Sequence, residues 1–263
     1  MMRTMLTRFQ ALLLAGVLAA AGPVLAEPFE LGAMPMDPPT NLAHPPLPDT
    51  GTFPTQLVLD DDSAEGSFGF LVGGARQFMW MNRFFSPGSF TLEEVWVLFP
   101  NNADVPVGGT VQLAVYRDAD SNPANGATLL GTYDVTIQAK DGDTFSVYPL
   151  APTLEIDGGG TILIGVVNRY FVSGIPPTLP AAYDSNTSQN SSYFAFWAGN
   201  APDPPDLSTA DTVDLLTGIA SGNFMIRGFG TQATAPIPTM DNVGLLLLGL
   251  FLAIGGAVLL RRS

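Results

Sequence analysis

The chain has 263 residues, a single histidine, no cysteine and a formal net charge of −14, from 24 acidic and 10 basic residues. Without cysteine there is no disulfide, no thiolate metal centre and no cysteine nucleophile, and so acidic a surface repels phosphate backbones, which argues against nucleic-acid binding. Aromatics at 10% speak against disorder, while charged residues at 13% fall below the roughly 25% of soluble domains.

Residues 1–26 have the order of a secretory leader: Arg3 and Arg8, an apolar run from Ala11 to Ala21, a Gly22-Pro23 break, then Val24-Leu25-Ala26 before Glu27. The run is too short for a comfortable membrane span, and the small residues place cleavage between Ala26 and Glu27. The alternative is an uncleaved anchor. Export through the Sec translocon and processing by signal peptidase are the expectation.

Residues 27–55 are rich in proline, which removes donors and favours extended chain; a flexible or surface-hugging arm is expected. The one histidine, His44, lies here, where nothing fixes the orientation that a catalytic imidazole needs. Leu47-Pro48-Asp49-Thr50-Gly51 fits the LPxTG sortase pattern, but no apolar helix and basic tail follow it, so the match is read as coincidence.

Residues 56–230 read as short strands. Val95, Val97 and Phe99 share a face; Val111, Leu113 and Val115 alternate with Gln112, Ala114 and Tyr116; Tyr133, Val135 and Ile137 alternate with polar residues. Thr161 to Val167 is apolar on both faces, as a central strand would be. Phe78 to Phe85, Phe145 to Leu150, Tyr193 to Trp197 and Phe224 to Phe229 complete the set. Ser86-Pro87-Gly88, Val107-Gly108-Gly109, Asp141-Gly142-Asp143 and Gly158-Gly159-Gly160 punctuate them as turns. The expected fold is all-β, a single jelly-roll-like β-sandwich.

The domain resembles β-sandwich modules of exported bacterial proteins. The residues that carry the likeness are Asp60-Asp61-Asp62-Ser63-Ala64-Glu65-Gly66, Trp80-Met81-Asn82-Arg83-Phe84, Asn122 to Ala127, Gly165 to Arg169, Pro180 to Asp184 and Asn223 to Arg227. The likeness implies a fold and an address, not a reaction.

Four aromatics, Trp80, Tyr183, Tyr193 and Trp197, are candidate platforms for stacking sugar rings, against the alternative that they are core. Asp118, Asp120, Asn122 and Asn125 crowd one hairpin with hard oxygens suited to calcium. That loop lacks the sixth-position glycine and has Leu129 where a bidentate acid would stand, so the alternative is a turn whose side chains bond their own backbone. Asp60-Asp61-Asp62 is a second acidic candidate. Arg83, Arg169 and Arg227 are either readers of an acidic polysaccharide or structural partners of carboxylates and rings. Asn186-Thr187-Ser188 and Asn190-Ser191-Ser192 mark an exposed loop. No catalytic set emerges, and no cofactor beyond calcium is implied.

After a linker at residues 231–242, residues 243–260 are apolar and long enough to cross a bilayer, and Arg261 and Arg262 form a basic stop that stays on the cytoplasmic side. Within the linker stands Ile237-Pro238-Thr239-Met240. This order of motif, apolar helix and basic end resembles the IPTL-type C-terminal sorting signals of Gram-negative bacteria, relatives of the PEP-type signals handled by exosortases. The family has Leu where this chain has Met240, and Asp241-Asn242-Val243-Gly244 replaces the usual Ser-Glu-Trp-Gly. The resemblance implies transient inner-membrane anchoring, cleavage near the motif by an exosortase-like enzyme, and release to the cell surface or matrix. The alternative is a plain anchor that is never cut. The expected role is a surface structural or adhesion protein, with a polysaccharide-binding module as the second reading and a secreted hydrolase as the third.

Overall fold

A computed structural model describes residues 29–36, 53–72, 77–86, 88–101, 105–170, 178–186 and 188–232. The described chain is all-β and antiparallel, arranged as a sandwich, with three short 3₁₀ turns and no α-helix among the described residues.

In chain order the strands are β1 (Glu30–Pro35), β2 (Thr55–Leu57), β3 (Gly66–Val72), β4 (Gln77–Ser86), β5 (Phe90–Leu98), β6 (Thr110–Asp118), β7 (Thr128–Thr136), β8 (Phe145–Ile156), β9 (Gly160–Asn168), β10 (Thr178–Asp184), β11 (Ser192–Trp197), β12 (Thr212–Leu215), β13 (Asn223–Phe224) and β14 (Ile226–Gln232). One sheet has the order β12-β11-β4-β9-β6-β7; two others run β1-β3-β10-β13 and β2-β14-β5-β8. The two four-stranded sheets meet at Met225, where β13 passes into β14. There the Met225 amide bonds Ala182 on one side (3.0 Å), and its carbonyl accepts from Leu98 on the other (3.1 Å).

Side chains alternate across each strand, so β4 sends Phe78, Trp80 and Phe84 into the main core and Met79 and Met81 to the opposite face. The main core also takes Val111, Leu113 and Val115 of β6 and Ile162, Ile164 and Val166 of β9. The other face of the six-stranded sheet is not left to water. Ala201 and Leu207 cover Met79, Tyr116, Leu163 and Trp197. A third cluster, with Trp96, Leu98, Phe145, Met225 and Phe229, lies on the far side of β5 and β14.

Asn82 is one of several polar residues buried among the described residues. It is fully buried on β4, and its amide donates to the carbonyls of Phe224 (2.7 Å) and Ile226 (3.1 Å). Ser192 donates to the Asn82 oxygen (2.7 Å) and accepts from the Phe224 amide (3.0 Å). Phe224 and Ile226 flank the switch from β13 to β14, where ladder bonding is interrupted. The Asn82–Ser192 pair supplies those backbone partners, as buried backbone groups require.

The expected turns Val107-Gly108-Gly109 and Asp141-Gly142-Asp143 fall between strands, and Gly158-Gly159-Gly160 leads into β9; Gly108, Gly142 and Gly158 adopt φ of 81°, 74° and 70°, the left-handed region that favours glycine. Three differences from the sequence reading stand out. Part of the expected arm, Glu30–Pro35, pairs along β3 as an edge strand, because Leu31 and Ala33 pack on the core. Strand β10 forms despite Pro180, since the ladder with β3 shifts register between Thr178 and Ala181. There the chain passes so close to Gly69 that an added Cβ would lie 2.3 Å from the Thr178 carbonyl. Finally, β14 runs to Gln232, two residues past the expected boundary at 230.

Candidate functional site

The expected leader with Ala26 and Glu27, His44, the motif Ile237-Pro238-Thr239-Met240, the apolar stretch 243–260 and Arg261 and Arg262 all lie outside the described residues. Among the described residues no helix is long and apolar enough to cross a membrane.

All four candidate platform aromatics are buried. Trp80 is stacked on Phe78 (6.0 Å between ring centres) and meets Phe99 edge-on. Trp197 sits under Leu207 and Ala201 and donates to the Thr209 hydroxyl (3.2 Å). Tyr193 lies beneath the Arg83 guanidinium, 5.2 Å from the ring centre, and the Tyr183 ring lies against Gly66. None presents a face to solvent, so stacking of a sugar on these rings is not available in this fold. The most exposed aromatic ring among the described residues is Phe85, at 72%. It borders two surface grooves of about 230 and 270 Å³, whose polar lining includes Gln56, Arg83, Gln189, Ser191 and Gln232.

The three arginines hold structure together. Arg83 donates to the Ser121 carbonyl and the Tyr193 hydroxyl, both at 2.7 Å. Arg169 at the end of β9 gathers Gln77 (3.0 Å), Gln112 (2.5 Å) and the carbonyls of Ala201 and Pro202 (2.8 Å each), tying the covering segment to the sheet. Arg227 on β14 is buried, lies 4.3 Å above the centre of the Phe145 ring, and is clamped by Asp60 and by Asp62 (2.6 Å). Burial works against the Arg227 charge, but Asp60 and Asp62 outweigh it and raise its pKa above the ordinary value.

The acidic stretch before β3 therefore divides its labour. Asp60 and Asp62 serve Arg227. Asp61 instead joins Glu65 and Asp184, whose carboxylate oxygens lie within 4.8 Å of one another. Each of these has local donors: the Ser63 amide for Asp61 (3.1 Å), the Ser63 hydroxyl (2.5 Å) and the Ser185 amide (2.8 Å) for Glu65, and the Asp61 and Asn186 amides for Asp184 (3.1 and 2.7 Å). The cluster stitches the segment before β3 to the end of β10.

The β6–β7 hairpin is different. Asp120 accepts from the Asn125 amide (2.6 Å) and the Asn122 backbone N–H (3.1 Å), as a self-bonding turn would; Asn125 leads in holding the Asp120 carboxyl below the usual carboxylate range. Asp118, the last residue of β6, is 1% exposed, and neither of its carboxylate oxygens has a hydrogen-bond partner among the described residues. Burial pushes its carboxyl up, the facing Asp120 carboxylate pushes it further, and the nearby amides of Asn122 and Asp120 pull the other way. The structure thus brings Asp118 and Asp120 together at one hairpin end. Asn122 precedes the 3₁₀ turn Pro123–Asn125 without capping it by its side chain.

Sequence reasoning missed Phe85, Asn82 and the Asp61–Glu65–Asp184 junction. Nothing in a one-dimensional pattern brings Asp61 to Asp184. The chain matches no protein-family model and no curated protein.

Proposed function

We propose that this chain is an exported, non-catalytic structural or adhesion module of the cell surface or extracellular matrix, held briefly in the inner membrane by its tail and then released. The order of parts in that tail carries the proposal: Ile237-Pro238-Thr239-Met240, an apolar stretch, then Arg261-Arg262. The leader at residues 1–26 supplies the route out, and an acidic, cysteine-free β domain suits the outside of a cell.

The proposed sandwich is of the jelly-roll type. Taking β3 to β9 and β14 as eight strands, one layer has the order β4-β9-β6-β7 and the other has β14-β5-β8, with β3 joined to it through β10, β13 and the Met225 link to β14. Consecutive strands then alternate between layers from β3 to β6 and again from β7 to β9, with β6 and β7 paired in one sheet, as in two Greek keys. Strands β10 to β12 are an insertion before the last strand, with β10 lying between β3 and β13.

The test is mass spectrometry of the protein recovered from the medium and surface fractions. A mature chain beginning at Glu27 and ending near Thr239 is expected. Full-length chain persisting in the cytoplasmic membrane, with its tail uncut, contradicts the sorting step.

A second reading, glycan contact, draws on Phe85, an exposed ring between polar grooves. If it holds, Phe85→Ala removes binding to a polysaccharide that the parent protein retains; equal binding by both rejects it.

A further inference from the structure

We propose that the hairpin joining β6 to β7 binds one calcium ion through the carboxylates of Asp118 and Asp120, with the amide oxygens of Asn122 and Asn125 and water completing the shell. This rests on the hairpin alone and stands whatever the protein's address.

A cluster of acids does not by itself make a cation site, and the Asp61–Glu65–Asp184 junction shows why: each of its carboxylates already accepts from a local donor. Asp118 does not. A carboxylate taken out of water without a hydrogen bond or a counter-charge is costly, yet Asp118 is held at 1% exposure with both oxygens unpartnered. The neighbouring cation does not help, because the Arg117 guanidinium is spent on the carbonyls of Asp157 (2.5 Å) and Gly159 (3.3 Å). Among the described residues no ion pair reaches Asp118. A second carboxylate, Asp120, faces it across the turn, which compounds the repulsion unless positive charge sits between them.

The hairpin is shaped to keep the two acids together. Strand β9 pins Asp118 in register with Thr161. Ser121 takes a left-handed φ of 64° and bonds the Thr161 hydroxyl (2.8 Å), reversing the chain directly after Asp120. The 3₁₀ turn Pro123–Asn125 then brings Asn125 back onto Asp120. A groove of about 420 Å³ lined by Asp120, Asn125 and Thr128 opens the Asp120 side of the hairpin to solvent, with Asp118 buried.

The donors decide the metal class. They are all hard oxygens, with no imidazole or thiolate, which disfavours zinc and copper. Calcium accepts a flexible shell of carboxylates, amide carbonyls and water, whereas magnesium demands a tighter octahedron.

The experiment uses the full-length chain in detergent, stripped with EGTA and titrated with CaCl₂ and separately with MgCl₂, followed by calorimetry and by thermal midpoint. Calcium is expected to bind once, with Kd of about 10⁻⁴ to 10⁻³ M as in extracellular modules, and to raise the midpoint. Loss of outer-shell partners alone weakens metal sites about tenfold or more, so Asp118→Asn and Asp120→Asn are each expected to raise Kd by at least that factor. Asp120 is exposed, so its variant keeps the test readable even if Asp118→Asn folds poorly. Glu65→Gln, at the rival cluster, is expected to keep the parent Kd. No calcium-dependent heat or shift in the parent chain overturns the proposal; so does a response that survives both aspartate variants, or one lost in Glu65→Gln instead.

Discussion

Two acidic segments look alike in sequence, Asp60-Asp61-Asp62 before β3 and Asp118-Ala119-Asp120 after β6, yet they meet opposite fates. The first contains a fully buried carboxylate, Asp60, that finds a buried arginine from the far end of the chain, 167 residues away. The second contains a buried carboxylate, Asp118, with no hydrogen-bond partner among the described residues. The comparison teaches that an acidic run becomes a structural element or a ligand site according to what the fold brings to it. In the first segment the charge is neutralised within the chain; in the second, on the proposed reading, a bound cation neutralises it.

The largest effect is expected where that internal neutralisation is removed. Arg227→Met leaves Asp60 buried without its cation and is predicted to cost about 3–5 kcal/mol, read as the denaturation midpoint of the full-length chain in detergent. A loss below 1 kcal/mol would show that the Asp60 segment simply lifts into water. Next comes the buried staple between layers. Asn82→Ala strands the carbonyls of Phe224 and Ile226 and the Ser192 hydroxyl, for a predicted loss of about 2–3 kcal/mol. Hydrogen exchange should quicken at residues 223–226 before it does elsewhere.

A pH experiment separates buried phenols from buried acids. Burial pushes the Tyr148 hydroxyl from its ordinary value of 10 up to about 12, while it donates to the Thr136 carbonyl (2.9 Å). Between those pH values the unfolded chain has lost a proton that the folded chain keeps. The contribution is therefore full below pH 10 and is lost as pH rises through about 12. Tyr148→Phe is expected to flatten the alkaline fall in stability; an unchanged slope would assign that fall to other groups, such as Tyr116, which burial also raises.

The smallest effect sharpens the comparison by its sign. In chelator, Asp118→Asn removes an uncompensated buried charge and is predicted to stabilise by about 1 kcal/mol, whereas Arg227→Met destabilises. If Asp118→Asn instead destabilises in chelator, Asp118 has an internal partner and the two segments are alike after all.

Much of the sandwich was legible because alternation and glycine turns are local signals. Thr161 to Val167, apolar on both faces, is a central strand with β4 and β6 beside it. Strand β10 was illegible because Pro180 speaks against a strand, and only the register shift opposite Gly69 accommodates it. The aromatic candidates were misjudged for a related reason. Alternation tells which residues share a face, not whether that face is covered. Trp197 is on the outer face of the six-stranded sheet, and the segment bearing Ala201 and Leu207 closes over it. Phe85, one residue from the core Phe84, looks like another core aromatic in sequence but stands at 72% exposure. The residues of the proposed calcium site were visible as residue types. What the sequence withheld was the hydrogen-bond accounting that distinguishes Asp118 from Asp61.

The claim on which the proposed role depends is that the β domain lies outside the cytoplasm. Its most direct test is protease accessibility of the domain in intact spheroplasts, probed with an antibody against residues 56–230. Digestion without lysis is the predicted result. Protection until the membrane is permeabilised, with the domain intact inside, would contradict it.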